Sequence, residues 1–201
     1  MINQGIVYAK ITKTCANIQD WTAVNQNTVS KSSVYDYSDI KSGILHIQAS
    51  LDTTTAHTGT EFIIQISSST SGDRNWNDLT KFVSLIGTAN SEPITNNPLS
   101  IGSTTITCIS TTGYTAGGWR FIKDGISSEL IYQTGLTANT NITIIDGTTN
   151  THVLNTMMYN IAMTQNITIP SGTYRLRILV NNTYDNDGST LYYNTRITTV
   201  T

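Results

Sequence analysis

The side chains able to do acid–base, nucleophilic or metal chemistry are few and scattered in this chain of 201 residues: three histidines, two cysteines and 13 carboxylates. A histidine metal site calls for a second ligand at short spacing or a carboxylate that orients the ring. His46, His57 and His152 have neither nearby in sequence, and each reads as an ordinary surface or turn histidine. Cys15 and Cys108 lie far apart, with no CxxC pattern, and read as two free, packed thiols rather than a disulfide or metal pair. Asp73, Asp78, Asp124, Asp146, Asp185 and Asp187 sit in or beside expected turns, where aspartate caps the backbone. The run Asp185-Asn186-Asp187-Gly188 has calcium-like chemistry, but it lacks the alternating ligands and the distant bidentate glutamate of a calcium loop. It reads as a hairpin turn. No carboxylate pair stands out for glycoside hydrolysis. There is no Gly-x-Ser-x-Gly elbow. The stretch GYTAGGWRFIKDG has neither the strand-to-helix setting nor the Lys-Ser/Thr of a phosphate loop. The expectation is therefore no enzyme, no catalytic set, no bound metal and no cofactor.

Binding chemistry is better represented. Trp21, Trp76 and Trp119, with ten tyrosines and abundant asparagine, could supply a sugar-stacking platform with hydrogen-bonding neighbours. Trp76, in SGDRNWND, is the leading candidate; the competing reading packs it back over the sheet edge as a hairpin anchor. Tyr192 and Tyr193 fall on opposite faces of one strand, so one of them is expected outside. Trp76, Tyr192, Asn182 and Asp185 are the candidate ligand or partner contacts.

The elements that would position these residues are strands. Charged residues make up only 12% of the chain, against about 25% in ordinary soluble proteins, while threonine alone supplies 36 residues. Threonine and isoleucine are β-branched and suit a pleated, half-buried surface. A net charge of −2 with 11 basic residues offers no polybasic footprint for nucleic acid. No apolar run reaches the roughly 18 residues of a membrane span. The opening MINQGIVYAK lacks the basic-then-apolar layout of a signal peptide. Neither nucleic acid nor membrane is an expected partner.

Period-two alternation recurs along the chain. Leu45, Ile47, Ala49 and Leu51 share one face; so do Phe62, Ile64 and Ile66. Met157, Tyr159, Ile161 and Met163 form a third set. Tyr174, Leu176, Ile178 and Val180 form a fourth, with Arg175 and Arg177 outward, and Leu191, Tyr193 and Ile197 a fifth. Segments 6–12 and 79–86 are further expected strands, and a short helical turn is expected near 33–41. Half-buried antiparallel strands produce this pattern. The fold class is all-β: an antiparallel β-sandwich, jelly-roll or Ig-like, with a small inserted β module. Residues 88–100 hold Pro93 and Pro98 and read as a connector. Short strands at 104–110, 119–123, 129–133 and 141–146 follow, joined by glycine-rich turns. The expected division is 1–43 as N-terminal arm and first strand, 44–90 plus 156–201 as the sandwich, and 100–155 as the inserted module.

Three stretches carry a resemblance. GTEFIIQISSSTSGDRNWNDLTKFVSLIG resembles paired strands of small β-sandwich virion structural proteins of tailed phages. TTITCISTTGYTAGGWRFIKDGISSELIYQTGLTANTNITIIDGTTNTH resembles the short β module that recurs in phage and virus-like structural proteins. GTYRLRILVNNTYDNDGSTLYYNTRI resembles a terminal sandwich hairpin in the same proteins. The position after the TTGYTAG turn, often acidic in such proteins, is Gly118 here, so no specific contact carries over from it. The resemblance implies a non-enzymatic role in capsid decoration, a head fibre or a tail, at the virion surface. It implies other virion proteins (major capsid or tail proteins) as partners, and a homo-oligomer. The alternative is a carbohydrate-binding or adhesin-type module with a glycan as ligand.

Overall fold

A computed structural model describes residues 13–25, 28–36, 42–52, 56–57, 59–73, 75–88, 90–182 and 190–200. The first part of the chain forms β1 (Lys13–Val24), β2 (Val29–Lys31), β3 (Tyr35–Asp36), β4 (Ser42–Asp52), β5 (Ala56–His57), β6 (Thr60–Ser67), β7 (Trp76–Ser84) and β8 (Gly87–Thr88). The middle forms β9 (Ser91–Pro93), β10 (Thr105–Thr107), β11 (Gly118–Lys123), β12 (Glu129–Thr137), β13 (Asn141–Ile144) and β14 (Met157–Tyr159). The last part forms β15 (Ala162–Ile169), β16 (Arg175–Asn181) and β17 (Thr190–Val200). Among the described residues the one helical segment is a 3₁₀ turn at Gly125–Ser127, and no helix is long and apolar enough to cross a membrane.

The chain is all-β, and its paired strands run antiparallel. One sheet has the order β1-β17-β4-β15 and the facing sheet β2-β16-β6-β7, with β3 also paired to β16. Strand β4 shows why these sheets face each other. Leu45, Ile47, Ala49 and Leu51 are buried while His46 and Gln48 between them are more open; Ser50 is buried too, its hydroxyl donating to the Ile161 carbonyl at 2.7 Å. The four apolar side chains meet Leu191, Tyr193 and Ile197 of β17 and, across the sandwich, Phe62, Ile64, Leu176, Ile178 and Val180. Each leucine, isoleucine, valine or phenylalanine among them contributes about 1.5–3 kcal/mol on burial. A one-residue slip would turn that set to water, so the alternation also fixes register. Tyr174 departs from the expected face: it precedes β16, in the turn, and is 39% exposed.

The middle strands make their own six-stranded sheet, β10-β13-β12-β11-β14-β9, over a separate core of Ile94, Leu99, Ile106, Ile122, Ile131, Ile142 and Met158. The chain enters through β9 and leaves through β14, and these two strands pair, Ser91 opposite Tyr159 and Pro93 opposite Met157. Strands β7 and β15 line one groove at the sandwich edge, through Leu79–Ser84 and Gln165–Thr168, without being hydrogen-bonded partners. The single face expected for Met157, Tyr159, Ile161 and Met163 is divided instead. Met158 points into the module core and Ile161 into the sandwich core, because the chain passes from one sheet to the other between them.

The N-terminal stretch contributes β1 along the whole of β17, and β2 and β3 along β16. The expected strand at 6–12 lies outside the described residues. Of the expected helical turn at 33–41, Tyr35–Asp36 is strand and 37–41 lie outside the described residues.

Candidate functional site

Strand β1 slips twice against β17, between Asn17 and Gln19 and between Gln19 and Thr22. Each slip is a β-bulge, a device that re-aims side chains. Ile18 stays in the core, while Asp20 is left exposed and Trp21 half-buried on the outer side. There Trp21 meets Phe121 of the module, ring centroids 4.7 Å apart, and Phe121 in turn stacks on Tyr192 at 5.6 Å. Two residues along β11, Lys123 lies 4.8 Å above the Tyr192 ring and donates to Asp52 Oδ2 at 2.6 Å. Burial works against the Lys123 charge, but the Asp52 and Tyr192 hydrogen bonds outweigh it and raise the ammonium's pKa. This aromatic joint seats the module on the outer face of the β1-β17-β4-β15 sheet.

Beside the joint lies a cleft of about 950 Å³. Its sheet wall is the row Gln48, Asn194 and Arg196, with Asp20, Trp21 and Tyr192. Gln48 and Asn194 are directly opposite in the β4–β17 register. The Asn194 side chain is buried, and its Oδ1 has no hydrogen-bond partner among the described residues. The module wall comes from Gly125–Glu129 and the Thr149–Asn150 turn.

Behind that wall is a titratable cluster that sequence spacing did not show. His152, expected as a loop histidine, is fully buried. Its Nε2 lies 2.6 Å from Glu129 Oε1 and its Nδ1 3.0 Å from Asp124 Oδ2. Glu129 also accepts the Thr149 amide at 2.7 Å, the Thr149 hydroxyl at 2.5 Å and the Asn150 amide at 3.2 Å. Burial opposes both charges, but the mutual bonds prevail: the His152 pKa is raised and that of Glu129 lowered. Both ring nitrogens are engaged with carboxylates. Among the described residues no group of three or more His, Cys, Asp and Glu is placed to hold a metal. The His152 backbone exchanges two hydrogen bonds with Leu99, both 2.9 Å. One turn away Gly147, at φ +72°, approaches the Gly102 backbone so closely that a Cβ would stand 2.7 Å from its carbonyl oxygen. Only glycine fits there.

These clips gather loops 100–103, 125–127 and 145–154 at one end of the module. Asn150 Nδ2 donates to the Ser127 carbonyl at 3.2 Å, and the Ile101 amide donates to Thr151 Oγ1 at 3.3 Å. The same loops hold apolar side chains out to solvent: Ile101 is 67% exposed, Val153 65%, and Ile126 fully so, and Ile145 and Leu154 are exposed on them as well.

The sequence candidates are dispersed. Tyr192 lies in the joint and lines the cleft. Trp76 lies on the opposite sheet, its ring 5.0 Å from the Arg175 guanidinium and 4.1 Å from that of Arg177, its indole N–H donating to Asp73 at 3.2 Å. It anchors the turn between β6 and β7. Asn182 is fully buried; its Nδ2 donates to the Val24 carbonyl at 3.0 Å and its Oδ1 accepts from Thr60. Asp185 lies outside the described residues. Cys108 is a free, buried thiol, raised in pKa by burial and by Glu92. Trp119 packs edge-on against half-exposed Tyr132 rather than inside the module core. His46 lies on the outer face, bonded to Asn166 at 2.8 Å and Thr198 at 3.0 Å, whereas His57 is buried and not a surface residue.

No family model matches the chain, and no curated protein matches it. Among solved structures it is similar to VP17, a capsid protein of bacteriophage P23-77, at 11% identity and a TM-score of 0.21, covering 96% of this chain and 97% of that one. It is similar to the complex of the two major capsid proteins VP16 and VP17 of the same phage, at 10% identity and a TM-score of 0.21, covering 95% and 100%. It is also similar to the VP2 subviral particle of infectious bursal disease virus, at 8% identity and a TM-score of 0.27, covering 96% of this chain and 42% of that one. These likenesses assign no family.

Proposed function

We propose that the chain is a non-enzymatic structural component of a phage particle. It docks on or decorates the capsid or tail through protein–protein contacts, at the virion surface. Its partners are the major capsid or tail proteins and further copies of itself. The resemblance of residues 59–87, 104–152 and 172–197 to small virion β-sandwich proteins supports the setting. The observation that carries the docking is the apolar loop end of the module. Isolated exposed apolar residues are ordinary on a monomer, but several grouped on adjoining loops mark a contact surface. Ile101, Ile126, Ile145, Val153 and Leu154 form such a group on loops tied in place by His152, Asn150 and Thr151. The chain is poor in charge, so few ionic groups have to be desolvated when a partner covers it.

Peptide mass spectrometry on purified particles tests this. The expected result is a fixed ratio to the most abundant coat protein, with the double variant Ile126→Asp, Val153→Asp folded but missing from particles. A protein found only free or on cells would overturn the proposal.

A further inference from the structure

We propose that the cleft between the β17–β4 face and the module loops binds a neutral, hydroxyl-rich ligand, an oligosaccharide. This goes beyond the docking role and does not depend on it. A cavity of about 950 Å³ lies within the size range of small-molecule sites. Asn194 gives it polarity of a specific kind: a buried carboxamide oxygen without a partner among the described residues, an acceptor suited to a hydroxyl donor. Gln48 stands opposite in register and adds a second carboxamide to the same wall. Trp21, half-buried, brings aromatic surface on which the C–H face of a sugar ring can rest, and Tyr192, held by Phe121 and Lys123, lines the cleft beside it.

Charge argues against an ionic ligand. Lys123 is engaged by Asp52, and Glu129 by His152, Thr149 and Asn150. Asp20 and Arg196 are both exposed and of opposite sign. Backbone pairing argues against an extended peptide. Strand β17 is hydrogen-bonded to β1 on one side and β4 on the other, so the wall offers no strand edge to extend. Side-chain amides and rings are what this wall presents.

The test is a printed array of neutral oligosaccharides probed with the full chain, then titration of the strongest hit by tryptophan fluorescence. Binding is expected, and Asn194→Ala and Tyr192→Ala should each weaken it by about tenfold or more, while Trp76→Ala on the opposite sheet leaves it unchanged. Gln48→Ala, at a more open position, reads the same wall if a buried variant fails to fold. The proposal is overturned if the folded protein binds nothing on the array, or if Trp76→Ala abolishes binding that the cleft variants leave intact.

Discussion

The sandwich and the module are built from the same antiparallel pairing but hold their shapes by different means. In the sandwich, strands such as β4 and β17 run for 11 residues, and every second side chain enters one apolar core. In the module the strands run from three to nine residues, and two buried polar side chains, Arg120 and His152, tie strands and loops together. Arg120, buried, donates to Gln133 at 2.8 Å and to the carbonyls of Trp119 and Thr115, with its guanidinium 5.2 Å from the Tyr114 ring centre. His152 bridges Asp124 and Glu129. Long strands secure their own register through burial, whereas short strands leave the loops to be fixed one clip at a time. The apolar loop end and the module wall of the cleft stand on clipped loops, while the cleft's other wall stands on β4 and β17. The cleft thus joins a self-registering strand face to loops held by a few polar contacts.

The largest effect that can break this contrast comes from the sandwich core. Phe62 is fully buried and stacked on Phe82 at 5.2 Å. Phe62→Ala is expected to cost about 3–5 kcal/mol in urea unfolding. Hydrogen exchange should speed up in β6 and β16 before it does in β11–β13. Equal acceleration everywhere would mean that the two cores unfold as one.

Next in size is the module's clip. His152→Ala strands two carboxylates, one of them buried, and is expected to cost about 2 kcal/mol. The loss should appear as faster exchange in 97–103 and 145–154. The same group gives the module a pH dependence. The raised His152 pKa makes its contribution full below the ordinary histidine value of 6.5 and lost as pH rises through the folded value. The lowered Glu129 pKa makes its contribution present above the ordinary value of 4.5 and lost as pH falls through the folded value. Both act together between those two ordinary values. Loop protection is expected to peak at mildly acidic pH and decline toward alkaline pH, and His152→Asn should flatten that decline.

The contrast also explains what could be read from the chain beforehand. Alternation at 44–51, 176–180 and 191–197 was legible because one face of each strand is buried and period two reports burial. The division between Met158 and Ile161 was not, because alternation names a face without naming the sheet that face belongs to. That Tyr192 and Tyr193 lie on opposite faces was legible from their adjacency in one strand; Tyr193 is buried and Tyr192 half-buried. The cleft around Tyr192 was not, since Trp21 reaches it through two bulges in β1 and Phe121 from another sheet. His152 finds its carboxylates 23 and 28 residues away, beyond any local motif.

The smallest expected effect lies on the sandwich's outer face. Trp76 makes specific contacts there, with a guanidinium over its ring from both Arg175 and Arg177 and a hydrogen bond to Asp73. A contact list alone would rank it beside His152. Its setting ranks it lower: the ring is only half-buried, and Asp73 stands in solvent, where its lowered pKa reflects Lys31, Arg177 and Trp76 itself. Exposed cation–π contacts contribute about 0.5–1 kcal/mol each, and part of that returns as hydration once the ring is removed. Trp76→Ala is therefore expected to cost about 1 kcal/mol, to loosen the turn between β6 and β7, and to leave the module's exchange pattern untouched. Thermal melts with exchange mass spectrometry would measure it. A cost near that of Phe62→Ala would make the outer sheet face, like the module, dependent on individual polar clips. The division between a self-registering sandwich and a clipped module would then have to be redrawn around side-chain chemistry instead of strand length.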